Sequence, residues 1–397
     1  MKREAPALEA ALAQLEAAQL RRARVTVEQR ARTGRSLTLE GGRELIDFSS
    51  NDYLGLAGHP ALARAVAECA AHRGTGSGAS HLITGHGAEH ARLEEELAAF
   101  THRERALLFS TGYMANLAVI SALAGRGERV VLDRLCHASL IDGARLSGAT
   151  LARYAHAAAD EAACLVAADP EHTVLLATDG VFSMDGDLAP LPELARCARG
   201  YGLWLVVDDA HGLGVLGANG GGVIEHFGLA NDAVPVLVGT LGKAFGSFGA
   251  FVAGSAALIE FLIQKARTYI YTTALPQPVA AATRAALALI RQESGRRERL
   301  ASLVARFRTA AHAAGVPLGS SSTPIQPVLL GSPAAALAAQ RQLAAAGYWV
   351  VAIRPPTVPV GSARLRITLS AAHTEAQVDA LAAELGALFA ARGAREA

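Results

Sequence analysis

One lysine between glycines, an Asp-Asp-Ala-His run and a few loop hydroxyls and imidazoles are the residues of this chain best suited to chemistry. Lys243 follows Thr240 in GTLGKAFGSFG (239–249), and Asp208 and His211 lie in VVDDAHGLGVLG (206–217). Ser183 lies in TDGVFSMDGD (178–187) and His137 in DRLCHASLIDG (133–143). Taken singly, each has a plain reading as a helix cap, a turn residue or a solvated charge. Taken together they are the parts that pyridoxal phosphate chemistry requires: a carboxylate for the pyridinium nitrogen, a lysine for the Schiff base and a cradle for the phosphate.

The chemical reasons are separate for each part. A carboxylate at Asp208 keeps a ring nitrogen protonated, so that the ring can accept electrons from a substrate carbanion. Lys243 must lose a proton to form an imine, which partial desolvation favours. Gly242, Gly246 and Gly249 leave room for close backbone approach. Only three lysines occur in the chain, Lys2, Lys243 and Lys265, so lysine chemistry has few candidates.

These residues need a frame that gathers them. From Ala106 onward, apolar runs alternate with Gly/Ser/Asp-rich loops and Ala/Leu-rich helical stretches. The runs are 106–110, 129–133, 173–178, 203–208, 234–240 and 250–254. Runs apolar on both faces suit a mostly parallel sheet covered by helices, in which ligands bind at the carboxyl ends of the strands. Each polar group above ends or follows one of these runs. Thr111-Gly112-Tyr113, opening a helix after the first, offers backbone N–H groups to a phosphate. Before this part, ALEAALAQLEAAQL has helical spacing, and an irregular segment follows it. Beyond Pro276 the composition shifts to long helices and then a smaller α/β part. The expected division is an N-terminal helical arm (1–50), a large cofactor-binding domain (51–285) and a small C-terminal α/β domain (286–397).

The motifs STGYMAN (110–116), SNDYLGL (50–56) and GTGSGASHLITGHGAEH (74–90), with those quoted above, resemble the α-oxoamine synthase family of fold type I pyridoxal phosphate enzymes. AIRPPTVPVGSARLRITLSAAHT (352–374) is most similar to the member that condenses L-alanine with a pimeloyl thioester in biotin biosynthesis. The resemblance runs from about Asp47 to the C-terminus. It implies a fold type I transferase and a decarboxylative condensation that releases CO2 and free thiol, the acyl group arriving on CoA or a carrier protein. Related enzymes that use glycine and a short acyl-CoA are the alternative.

Carried over by motif, Lys243 is the Schiff-base lysine and also the base acting on the amino acid, and Asp208 is the pyridinium partner. His137 stacks on the ring and polarises the thioester oxygen, and His211 and Ser183 contact the phenolic oxygen. Thr240 binds phosphate with backbone at Gly112 and Tyr113, and Thr272 reaches the phosphate of a neighbouring subunit. Asn51 and Arg366 take the amino-acid carboxylate, with Arg364 two residues away on the same strand face. Thr357 contacts substrate. Arg21 is the choice for the acyl group, with Arg22 and Arg24 equally placed. A homodimer is implied.

Composition narrows the alternatives. With 37 Lys plus Arg against 36 Asp plus Glu, the formal charge is only +1, too small an excess to hold nucleic acid. Four dispersed cysteines without a CxxC pair suit a reduced, cytoplasmic protein. The uncharged stretch 244–259 is shorter than the ~20 residues that cross a bilayer. His86-Gly87-Ala88-Glu89-His90 fits H-x-x-E-H, which would make a zinc hydrolase through His86, Glu89 and His90 a distant alternative. No metal is expected in the favoured reading. The glycine-rich 212–222 lacks the setting of a dinucleotide loop and is expected to form turns.

Overall fold

A computed structural model describes residues 5–33 and 35–396. The chain divides into two compact units, one comprising Met1–Tyr53, Met184–Gly186 and Arg299–Ala397, the other Leu54–Ser183 and Asp187–Glu298.

In the first unit, the helix Ala5–Ala17 precedes three short strands, β1 (Val27–Arg30), β2 (Ser36–Leu39) and β3 (Arg43–Asp47). These pair antiparallel in sequence order. The segment that lacks a sequence pattern is therefore a small sheet. Its strands are only four or five residues long, and β1 is exposed throughout, so alternation is too brief to register.

The second unit is built on seven strands: β4 (Arg105–Phe109), β5 (Arg129–Asp133), β6 (Thr150–Tyr154), β7 (Thr173–Asp179), β8 (Trp204–Asp208), β9 (Val236–Thr240) and β10 (Ala250–Gly254). Their order is β4-β10-β9-β8-β7-β5-β6. All neighbours are parallel except β10, which runs antiparallel to both β4 and β9. The central strands are apolar on both faces because helices cover both. Val206, Val236, Val238 and Val252 bury completely or nearly so against Ala115, Val119 and Leu140. β6 was not among the expected runs. TLARY is an edge strand, buried only at Tyr154, and its mixed residues match that position.

Caps place the helices that follow the strands. Thr111 accepts a hydrogen bond from the Met114 N–H at 3.2 Å and starts the helix Gly112–Leu123, an arrangement that contributes about 1 kcal/mol. His137 occupies the same position for the helix Ala138–Ser147. The glycine-rich 212–222 forms turns, as expected. Gly222 has φ +81°, and a Cβ there would lie 1.8 Å from an oxygen of Asp209, so only glycine fits.

The remaining strands of the first unit are β11 (Ile325–Gly331), β12 (Tyr348–Trp349), β13 (Val351–Ile353) and β14 (Ala363–Thr368). β14 lies between β11 and β13 and is antiparallel to both. β12 joins β3 in parallel. The ArgLeuArg of β14 puts Arg364 and Arg366 on one face, as period-2 geometry requires.

Candidate active site

The carboxyl ends of β5, β7, β8 and β9 carry the expected residues. Lys243, in the turn after β9, places Nζ 2.8 Å from Nε2 of His211. Asp208, the last residue of β8, accepts from Nδ2 of Asn116 at 2.6 Å through one oxygen and from the Ala210 N–H at 3.0 Å through the other. Asn116 also donates to Oγ of Ser139 at 2.8 Å, and its own Oδ1 is buried without a partner. Asn116 was not singled out in the sequence. Its signal is that it is the only amide in the otherwise apolar helix GYMANLAVISAL.

The two adjacent aspartates differ in role. Asp209 is fully buried, and its Oδ2 accepts from the Val223 N–H at 2.8 Å. Burial, helped by repulsion from Asp208, pushes its pKa well above the usual carboxylate range. Asp209 is thus held by backbone, and Asp208 is the one turned to Asn116. Asp179, at the end of β7, is likewise pushed up by burial and by Asp208, while accepting from the His137 N–H at 2.7 Å.

His137 is exposed, with Nδ1 2.7 Å from Oγ of Ser139. Crowding by protein atoms lowers its pKa, Asp208 opposes that and Lys243 reinforces it. The ring of Tyr113 meets that of His137 edge to face at 6.4 Å, and its hydroxyl bonds Asp142. At Gly112 a Cβ would meet nothing within 4 Å, so the start of this helix faces open space. Thr240 donates to the Gly249 carbonyl at 3.1 Å and accepts from the Gly242 N–H at 3.3 Å. Ser183 lies half-buried in the loop after β7. Thr272 is half-buried beyond the helix Arg267–Ile270, and among the described residues no hydrogen bond joins it to the others.

These groups fit pyridoxal phosphate. A carboxylate is pinned by an amide, a lysine lies against an imidazole, and an unobstructed helix start with a nearby threonine suits a phosphate.

The first unit holds the other expected residues. Arg366 donates to Oδ1 of Asn51 at 3.1 Å, and the fully buried Tyr53 donates to the same oxygen at 3.2 Å. Arg364 is paired instead with Asp185, which neutralises it. The difference in partner separates the two arginines: one faces a carboxylate, the other a neutral amide. Arg21 pairs with Glu16 at 3.2 Å, whereas Arg22 donates to Oγ1 of Thr357 at 3.1 Å.

The H-x-x-E-H segment does not assemble a hydrolase. Glu89 is engaged by Arg284 at 2.7 Å and Arg92 at 3.0 Å. His81, on a single π-helical turn (His81–Gly85), joins His86 and His90, their nearest nitrogens within 4.8 Å of one another. Both nitrogens of His90 are occupied by backbone, Nδ1 accepting from Gly87 at 2.9 Å and Nε2 donating to the Leu275 carbonyl.

Comparison with known proteins gives the family. The family model of aminotransferase class I and II matches residues 43–385. An 8-amino-7-oxononanoate synthase of Methylococcus capsulatus is 61% identical over 86% of this chain and 88% of its own. One from Thioalkalivibrio sulfidiphilus is 60% identical over 86% of this chain and 87% of its own. Among solved structures, serine palmitoyltransferase of Sphingomonas wittichii superposes with a TM-score of 0.92 at 30% identity over 98% of both chains. An 8-amino-7-oxononanoate synthase from Francisella tularensis gives 0.77 at 33% identity, over 88% of this chain and 98% of that one.

Proposed function

This chain belongs to the aminotransferase class I and II family, within its α-oxoamine synthases, and from that premise we propose that it condenses L-alanine with a pimeloyl thioester. The products are 8-amino-7-oxononanoate, CO2 and free thiol. The chain is a fold type I acyltransferase that depends on pyridoxal phosphate, and its relatives of about 60% identity tie it to biotin biosynthesis. The observation that carries the reading is the Lys243–His211 contact at a strand end where Asn116 pins Asp208.

When bound, pyridoxal phosphate supplies an electron sink for the negative charge left on an amino acid's α-carbon. Lys243 would attach the cofactor, and its Nζ, freed when the amino acid's amine takes its place, would take the α-proton and return it. The imidazole of His211, already 2.8 Å from that nitrogen, orients it, and with Ser183 holds the phenolic oxygen. Asp208 would hold a proton on the ring nitrogen. Asn116 keeps one carboxylate oxygen fixed, so the other is aimed rather than mobile. His137 would cover the ring face, with crowding by protein atoms holding its imidazole below the usual pKa. Thr240 and the N–H groups of Gly112 and Tyr113 bind phosphate, and Thr272 binds that of a partner subunit in a homodimer. We assign the cofactor to the 51–285 part of the chain.

Arg366 with Asn51 binds the amino-acid carboxylate, and Thr357 with the Arg21–Arg22 stretch receives the acyl donor. No helix among the described residues is long and apolar enough to cross a membrane, and four free cysteines suit a reducing cytoplasm.

The test is thiol release and product mass from purified protein, given pyridoxal phosphate, L-alanine or glycine, and pimeloyl-CoA, a pimeloyl carrier protein or acetyl-CoA. Product from L-alanine with a pimeloyl donor supports the reading. Turnover confined to glycine with acetyl-CoA would overturn it.

A further inference from the structure

We propose that His156 is a positioning residue, a cation held between Asp133 and Asp187 that ties together the ends of three neighbouring strands and so fixes the loops carrying His137 and Ser183. β7, β5 and β6 are consecutive in the sheet. Asp133 ends β5, Asp187 lies beyond β7, and His156 follows β6 by two residues. Nδ1 of His156 is 3.1 Å from Oδ1 of Asp133, and Nε2 is 2.8 Å from Oδ2 of Asp187. A neutral imidazole has one donor, so it would set a lone pair against one of these carboxylates. The doubly protonated ring donates to both.

The surroundings agree. Asp133 is fully buried and also accepts from the Leu135 and Ala157 N–H groups, each at 2.7 Å. Ala157 takes the left-handed conformation, φ +55°, which a non-glycine residue adopts only where its surroundings hold it. Among the described residues, Oδ1 of Asp187 is buried with no hydrogen-bond partner. The ring of Phe182 packs edge to face on His156 at 4.3 Å. The other titratable groups around Asp133 are Cys136, Asp179 and Tyr154, each pushed up by burial, which favours their uncharged forms. Burial by itself would lower the His156 pKa, but its hydrogen bonds to the two carboxylates carry it up to about 10.

His137 is four residues beyond Asp133, and Ser183 is four residues before Asp187. The clamp therefore sets the two loop roots from which these side chains leave the sheet. Its consequence for the cofactor rests on the assignment of His137 and Ser183 above.

The test begins with apoprotein. Histidine-selective NMR of the labelled parent, with His156→Gln identifying the signal, is expected to show both ring nitrogens protonated at pH 8. A neutral ring at that pH overturns the clamp. Pyridoxal phosphate dissociation constants follow, with thermal melting of each apoprotein. His156→Gln is expected to melt cooperatively and bind the cofactor roughly 10- to 100-fold more weakly, the range of a lost charge-assisted bond. Asp187→Asn should weaken binding similarly, and the double variant no more than the worse single one. Affinity within about twofold of the parent in a folded single variant overturns the proposal, and Asp187→Asn decides if His156→Gln does not fold. Should His137→Phe and Ser183→Ala leave affinity unchanged while His156 is cationic and His156→Gln binds weakly, the clamp stands and the assignment of those two contacts fails.

Discussion

Two groups of imidazoles in the same unit are built from the same residue and behave in opposite ways. At the strand ends, His156 is gripped by two carboxylates and His211 meets Lys243. At the π-helical turn, His81, His86 and His90 have mainly one another and backbone for company. Burial drives the pKa of His81 down to about 3, with His90 and His86 adding to the effect, while carboxylates carry His156 up to about 10. The chemistry of a histidine is set by what faces it in the fold. The spacing H-x-x-E-H says nothing of this, because its glutamate turns to Arg284.

The largest expected effect breaks the strand-end group at its centre. Lys243→Ala should lower kcat by roughly 10²- to 10⁴-fold, the range for loss of a positioned acid–base group, as measured by thiol release. Next, the paired aspartates divide the group from within. Asp208→Asn should weaken pyridoxal phosphate binding roughly 10- to 100-fold, whereas the isosteric change Asp209→Asn should leave it within about twofold, because Asp209 is turned to the Val223 N–H and not to Asn116. A fluorescence titration of both variants checks this, and equal losses would remove the distinction.

On the other side of the comparison, His90→Ala should cost about 1–3 kcal/mol of stability by stranding the Gly87 and Leu275 backbone groups. Denaturant unfolding measures this, with cofactor affinity unchanged. The same histidines should hold no stoichiometric zinc, and a chelator should leave turnover as it was.

The smallest effect is pH-dependent. His81 is harder to protonate folded than unfolded, so on acidification the unfolded chain takes up the proton first. Its contribution to stability is complete above about pH 6.5 and is lost as pH falls towards 3. The melting temperature of the parent relative to His81→Phe should therefore fall across that window. A constant difference would show that His81 is not buried neutral.

The positions of Lys243, Asp208, His211 and His137 at strand ends were legible because each follows a run apolar enough to be an internal strand. Where the runs were not uniformly apolar, legibility failed. TLARY is an edge strand, and with it went His156, which has meaning only beside strands distant in sequence. Asn116 stood inside a quoted motif, yet its role depends on a helix turning its amide onto Asp208, 92 residues further along. Arg366 is chosen by resemblance alone; the physical difference between it and Arg364 lies in their partners, Asn51 and Asp185, which no spacing relates to β14.

The most direct test of the central claim uses the scarcity of lysine. The protein is incubated with pyridoxal phosphate, reduced with borohydride, digested, and its lysine-containing peptides are weighed. The account predicts the pyridoxyl phosphate mass on the peptide containing Lys243 in the parent and on none in Lys243→Ala. Label on Lys2 or Lys265 instead, or no label in the parent, would contradict it.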